Sequence, residues 1–371
     1  MRDDVASFAR DELTPGAEAR DRDSAFSSDL WRRCGTIQLQ GLVIPTEYGG
    51  RGLDPVSAAI ALEGLGFGCE DGGLAFALCA HMLACCVPVW KHGSEEMKRA
   101  WLPGLCDGSL IAANAMTEPS SGSDALSLET KAVRTGAGFR LSGHKTFVSN
   151  APVAHVIIAY AAMPGSDDAP AEVTAFLIPR ETPGVRIGDR MEKMSLRTCQ
   201  MSDVRFEDAE LPADSIIGQP GGGAQIFAES MDWERSLLGA LHVGAMERIL
   251  DRAVAFARAR RAGGESIGRL QAVSHRIADM KIRLEAARLL TREAARSLNS
   301  RRSSGLPAAI SKVFASEALV KSATDAVRTM GGAGILVGSG VERTLRDAVA
   351  ATLYSGTNDI QRNIIARWLG L

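Results

Sequence analysis

Between residue 1 and about 108, Ala/Leu-rich segments alternate with Gly and Pro clusters such as IPTEYGGRGLDP (44–55), a pattern that predicts short helices joined by tight loops. From about 109 the texture changes. Short β-rich runs follow one another: KAVR (131–134), FRLSG (139–143), HVIIAY (155–160), EVTAFLIP (172–179) and MSDVRFED (201–208), separated by the turn signals TGAG, MPGSDDAP and ETPG. This spacing predicts a small antiparallel β-domain and disfavours the alternating βαβ units of a Rossmann fold. After the loop GQPGGGA (218–224) helical periods return. In 274–298, Ile277, Met280, Leu284, Ala287, Thr291, Ala294 and Leu298 recur at steps of three and four, one seam of a helix packed in a bundle. Segments 224–261, 307–330 and 341–369 complete an expected four-helix unit, with GLP (305–307) and GGAG (331–334) as stops between helices. The expected class is α+β: a helical domain over 1–108, an antiparallel β-domain over 109–220 and a C-terminal four-helix bundle over 221–371.

Composition narrows the function classes. The 371 residues carry 42 basic and 44 acidic side chains, interspersed, for a net charge of −2. Nothing there attracts nucleic acid or an anionic membrane. The apolar run GLAFALCAHMLACCVPVW (73–90) could just cross a bilayer by length, but His81, Pro88 and many small residues favour a buried core helix. The first residues, MRDDVASFARDELTPG, are acidic and amphipathic with no apolar signal core, so a cytoplasmic location is expected. The seven cysteines form no CxxC or Cys/His ligand spacing, as expected of buried thiols in a reducing compartment, and no metal site is expected. The six histidines have neither HExxH nor HxxxH spacing, and no Gly-x-Ser-x-Gly elbow supports a hydrolase.

The first stretch that could carry chemistry is NAMTEPSSGSD (114–124), where a strand runs into a Gly/Ser turn. Its hydroxyls and free N–H groups suit a phosphate or a heteroaromatic edge; equally, it could be an ordinary Asx/Ser turn. Other motifs accompany it in order and spacing: HKTFVSNA (144–151), KMSLRTCQMSDVRFEDAELP (193–212), ADMKIRLEAARLL, AVRTMGGAGI and LYSGTNDIQR (353–362). Together they resemble the acyl-CoA dehydrogenase family over nearly the whole chain. The resemblance implies FAD as cofactor and a homotetramer or homodimer with flavin sites at subunit interfaces. By that resemblance Asn114, Met116 and Thr117, with Phe147, Val148 and Ser149, would border the flavin ring, with Thr117 and Ser149 offering hydroxyls to its pyrimidine edge and reactive nitrogen. Gly122 and Ser123 would lie by the phosphate and the thioester tail. Arg260 and Gln271 would reach FAD phosphates from a neighbouring subunit, and Arg328, Gly331, Gly332, Thr357 and Asn358 would line the rest of the cofactor. Departures from the family pattern are Gly263 in place of a Phe, Arg328 in place of a Gln, and Cys199 and Met201 at positions commonly held by hydroxyl residues.

The implied reaction removes an α-proton from an acyl thioester while hydride leaves the β-carbon. It needs a carboxylate aimed at the α-carbon and donors aimed at the carbonyl oxygen. The family usually carries that carboxylate where Ser355 stands. A serine hydroxyl is no base for a thioester α-proton, although the Ser355 backbone N–H can still serve as an oxyanion donor. The candidate replacement is Glu234 in AESMDWERSLLGA (228–240), expected near the start of a helix. A minority branch of the family, which includes isovaleryl-CoA dehydrogenase, carries its base on this helix just before the matching arginine. The alternative is a first-turn glutamate favoured by the helix dipole or paired with Arg235. Met231, Asp232, Arg235, Ser123 and Gly356 are the substrate-side candidates. MDWER, YSGT and GCEDGGLAFALCAH (68–81) look closest to dehydrogenases acting on aminoacyl groups, such as prolyl, tethered to carrier proteins. A short or branched acyl-CoA substrate, a flavin monooxygenase on the same fold and an inactive scaffold subunit stay open as alternatives. The electron acceptor could be an electron-transfer flavoprotein or oxygen.

Overall fold

The computed structural model describes residues 1–164, 172–299 and 305–371. Helices fill the N-terminal third: Arg2–Phe8, Ala17–Asp23, Ser28–Thr36, Pro55–Gly68, a continuous run from Gly72 to His92, and Glu95–Asp107. Their starts are written locally. Asp54 accepts hydrogen bonds from the N–H groups of Val56 and Ser57 ahead of Pro55, Asp71 accepts from Leu74, and Ser94 from Met97. The membrane-length run is a core helix, with 89% of its most apolar window buried.

A mixed sheet follows. Its order is Val185–Ile187, Met201–Pro212, Gly138–Ser149, Lys131–Arg134, Val156–Met163, Glu172–Pro179 and Ile216–Ile217. Most pairings are antiparallel, as expected, but Ala112–Ala115 runs parallel to Val156–Met163, and Lys131 also pairs parallel with Ala162. Parallel neighbours need a crossover, here supplied by the intervening chain, so a run of hairpins alone could not have made this sheet. Most of the expected turn MPGSDDAP lies outside the described residues. One sheet face packs with the helices in a shared core that includes Val156, Ile158 and Tyr160, and the other keeps a core of its own around Phe139, Phe176 and Phe206.

The C-terminal bundle is built from Gly223–Ala259, Gln271–Ser297, Gly305–Met330, Val341–Ala351 and Asn358–Trp368. The seam read from the sequence is present, with Met280, Leu284, Ala287, Thr291 and Ala294 buried. The expected single segment 341–369 is instead two helices. They are separated by the turn in which Ser355 (φ 57°) and Gly356 (φ 80°) adopt left-handed backbone that no α-helix accommodates.

The 37-residue helix Gly223–Ala259 passes against Pro55–Gly68 with the backbones touching. A Cβ on Gly66 would fall 2.2 Å from the Leu241 carbonyl oxygen, and one on Gly244 would fall 2.1 Å from that of Glu63. Ion pairs lock the same contact, with Glu63 accepting from Arg2 at 3.0 Å and from Arg288 at 3.1 Å; elsewhere Arg346 of Val341–Ala351 meets Asp21 of Ala17–Asp23 at 2.6 Å. The N-terminal domain and the bundle thus hold the long helix, and with it Glu234, in one place.

Candidate active site

Glu234 lies well inside the long helix rather than in its first turn, so the helix-dipole alternative falls. Its side chain is buried, and Oε1 accepts a hydrogen bond of 2.7 Å from the Ser355 hydroxyl. Arg235 does not pair with Glu234. It turns away, and its Nε donates to the Ser355 carbonyl at 2.9 Å. Gln361 Nε2 donates to the carbonyls of Ser355 (3.3 Å) and Gly356 (3.1 Å). The left-handed turn is therefore clamped from two helices, with a side-chain hydroxyl facing the carboxylate. The Ser355 N–H makes no hydrogen bond among the described residues, so it is free for a ligand oxygen.

Burial raises the Glu234 carboxyl above the ordinary carboxylate range; the Ser355 hydroxyl, then Arg235 and Lys312, pull it back. A carboxylate so placed is a stronger base than one in water, and its anion is still held by a donor. Lys312, buried and pushed down to about 8 by burial, donates to Asn358 Oδ1 at 2.7 Å and to the Thr352 carbonyl at 3.2 Å, tying both ends of the turn. Tyr354, next to Ser355, lies on Phe76 with ring centroids 4.5 Å apart and bonds His242 Nε2 at 2.7 Å. Burial keeps that imidazole neutral, at about 3.

The stretches that carry the other expected residues also come together. The Thr146 N–H donates to the Thr117 carbonyl at 2.9 Å, which sets the 114–124 segment beside the strand Gly138–Ser149. Lys145, fully buried, bridges the Met116 carbonyl (3.0 Å) and Glu118 Oε1 (2.7 Å), and Glu118 also accepts from the Thr130 N–H at 3.0 Å. An ion pair this deep is offset by further hydrogen bonds, with Glu118 also accepting from the Glu129 N–H at 2.6 Å, and it fixes the Met116–Glu118 turn. Within the strand the register slips between Lys145 and Val148; there Phe147 takes φ 55° and stands 62% exposed while Val148 is buried.

The other expected residues divide. Met231 is buried, and Asp232 lies 3.8 Å from Arg235. Gly122, Ser123, Gly331 and Gly332 are exposed, and a Cβ on Gly122, Gly331 or Gly332 would meet nothing within 4 Å. Arg260, Gln271 and Arg328 are exposed and make no hydrogen bond to this site, so a single chain does not assemble them with it. Asn358 corrects its expectation: it is buried, and its amide is committed to Lys312, Ser316 and Glu317 inside the bundle. Thr357 caps the last helix by accepting from the Ile360 N–H. Sequence reading missed Lys312, Gln361 and His242, because helix-face polar residues become partners only when helices pack.

Family models for the acyl-CoA dehydrogenase N-terminal, middle and C-terminal domains match residues 1–109, 113–209 and 221–370. The chain belongs to the acyl-CoA dehydrogenase family. Within that family it is 44% identical to an L-prolyl-[peptidyl-carrier protein] dehydrogenase of Pseudomonas fluorescens, over 93% of this chain and 91% of the relative. Among solved structures, PigA with FAD and proline superposes with a TM-score of 0.96 at 39% identity, covering 100% of this chain and 96% of PigA. The prolyl acyl carrier protein oxidase AnaB gives 0.96 at 38% identity, covering 100% and 98%.

The residues of this acyl-CoA dehydrogenase family member fit FAD. Among the described residues, Asn114 Oδ1 is buried without a partner, the Phe147 ring is bare and held out by strained backbone, and open space lies over Gly122, Gly331 and Gly332. A flat heteroaromatic ring and a phosphate tail would satisfy each of these.

Proposed function

We propose that this protein is an FAD-dependent dehydrogenase that desaturates the Cα–Cβ bond of a prolyl-like aminoacyl thioester carried on a carrier protein. The observation that carries this reading is the buried Glu234 carboxylate, hydrogen-bonded by the residue that stands where the family usually keeps its base. Bound FAD would supply the acceptor for the hydride leaving the β-carbon. Glu234 takes the α-proton, its basicity raised by burial. The free N–H of Ser355 receives the thioester oxygen as negative charge develops there. Arg235, Gln361 and Lys312 hold the turn, so that N–H and carboxylate keep their mutual geometry. Thr117, Ser149 and Asn114 would hold the flavin edge, and Ser123 and Gly122 the phosphate tail.

Two features support a homo-oligomer: the unassembled Arg260, Gln271 and Arg328, and the bare apolar residues Ile282, Leu289 and Ile335–Val337. A cytoplasmic location is supported by seven free, buried cysteines. The electron acceptor is an electron-transfer flavoprotein or oxygen.

The test is turnover of purified protein on prolyl-S-carrier and on isovaleryl-CoA, read by mass spectrometry of the carrier-bound product. Loss of two or four hydrogens from the prolyl group is expected; activity on the CoA ester alone would end the aminoacyl reading.

A further inference from the structure

His242 lies on the same long helix as Glu234, and the chemistry above makes no use of it. Its helix neighbours Leu238, Leu241, Val243 and Met246 are buried apolar residues, and His242 is buried with them. A polar ring in such surroundings is costly unless it is hydrogen-bonded. Its Nδ1 has no partner among the described residues, so the ring is held by one bond, the 2.7 Å contact between Nε2 and the Tyr354 hydroxyl. That hydroxyl has no other hydrogen bond among the described residues.

The peptide unit that joins Tyr354 to Ser355 is the one that carries the Ser355 N–H. Because the unit is planar, the direction of that N–H is set by how its two ends are held. The Ser355 end is gripped by its hydroxyl on Glu234 and by Arg235 and Gln361 on its carbonyl. The Tyr354 end has its backbone N–H on the Ala350 carbonyl at 3.2 Å, its ring against Phe76 and its hydroxyl on His242. Contact with Phe76 fixes the plane of the ring; the hydrogen bond fixes its reach. One helix therefore anchors both ends of the unit, through Glu234 and His242, whose backbones stand about 12 Å apart along the axis. Left-handed backbone at a serine is strained and persists only where the surroundings over-determine it. The two anchors supply that constraint.

We infer that His242 is a positioning residue: by holding the Tyr354 hydroxyl it aims the Ser355 N–H at the thioester oxygen. This rests on the function proposed above. A contact that strengthens as charge develops lowers the barrier more than it tightens substrate binding, so its loss falls on kcat before KM.

The test uses the full-length, flavin-loaded protein with His242→Phe, His242→Gln and Tyr354→Phe. On prolyl-S-carrier, His242→Phe and Tyr354→Phe should each lower kcat per bound flavin about tenfold, the worth of one hydrogen bond, with KM changed less. The two together should cost no more than the larger alone, because they remove the same contact. His242→Gln, which keeps a polar group for the phenol, should recover part of the loss. Amide hydrogen exchange of the segment 350–358, measured without substrate, should quicken in both phenylalanine variants. Tyr354→Phe removes a single oxygen, so it carries the test alone if His242→Phe does not fold. A lower melting temperature with kcat and exchange unchanged, or losses that add in the double variant, would make the pair merely structural and overturn the inference while the proposed function stands. If wild-type protein turns over no prolyl-S-carrier, the proposed function fails, and the exchange rates then decide by themselves whether His242 holds the turn.

Discussion

The Ser355 hydroxyl donates to Glu234 Oε1 across 2.7 Å, joining residues 121 apart in sequence. A helix and a left-handed turn contribute one group each, and the resulting pair has the composition of a tuned base: one carboxylate and one donor. The consequences can be measured separately.

Removing the charge while keeping the shape isolates the base. Glu234→Gln should retain the flavin absorbance bands and lose turnover by about 10²- to 10⁴-fold, the range for a positioned general base. Single-turnover bleaching of the flavin checks this. Unchanged bleaching would point instead to chemistry that needs no α-proton transfer.

The pH profile should report on the same pair. Glu234 must be ionised to act, and burial raises its pKa while the Ser355 hydroxyl lowers it. Ser355→Ala removes the lowering contribution, so the acid limb of kcat/KM should move to higher pH, with activity recovering at the alkaline side. An acid limb that stays put or moves down would mean the hydroxyl does not act on the carboxylate. Ser355→Glu should not enhance the wild type, since two carboxylates in one site cannot both ionise easily.

Lys312 ties the ends of the turn. Lys312→Met removes one of two donors from each acceptor, leaving Ser316 Oγ on Asn358 Oδ1 and the Asn358 N–H on the Thr352 carbonyl, at a cost of about 0.5–1.5 kcal/mol for each hydrogen bond lost. A lower melting temperature is expected, together with a fall in kcat larger than the rise in KM, because the Ser355 N–H loses its fixed position. A variant with wild-type melting and kcat would exclude the clamp.

Asp347 lies outside the site but sets a pH dependence of stability. Burial raises it to about 7, and the Leu196 N–H, which donates to Oδ1 at 2.6 Å, only partly offsets that. A folded-state pKa above the unfolded value means the folded chain binds the extra proton. The associated stability is complete below about pH 4 and is lost as pH rises through 7, amounting to at most about 4 kcal/mol. Asp347→Asn keeps an acceptor for Leu196 and cannot ionise, so its melting temperature should decline less between pH 5 and 8 than that of the wild type. Parallel declines would rule Asp347 out as the source.

The helix seam at Met280–Ala294, the β-rich runs of the middle region and the absence of an acid at 355 were all legible along the chain. Each depends on neighbours within a few residues, and periodicity and residue preference record such neighbours directly. Tertiary structure decided the rest. It put Ser355 against Glu234, sent Arg235 to the Ser355 carbonyl instead of the adjacent carboxylate, and drew Asn358 into the bundle. Those outcomes depend on which helix faces meet and on how much water they exclude, and no local pattern carries that information.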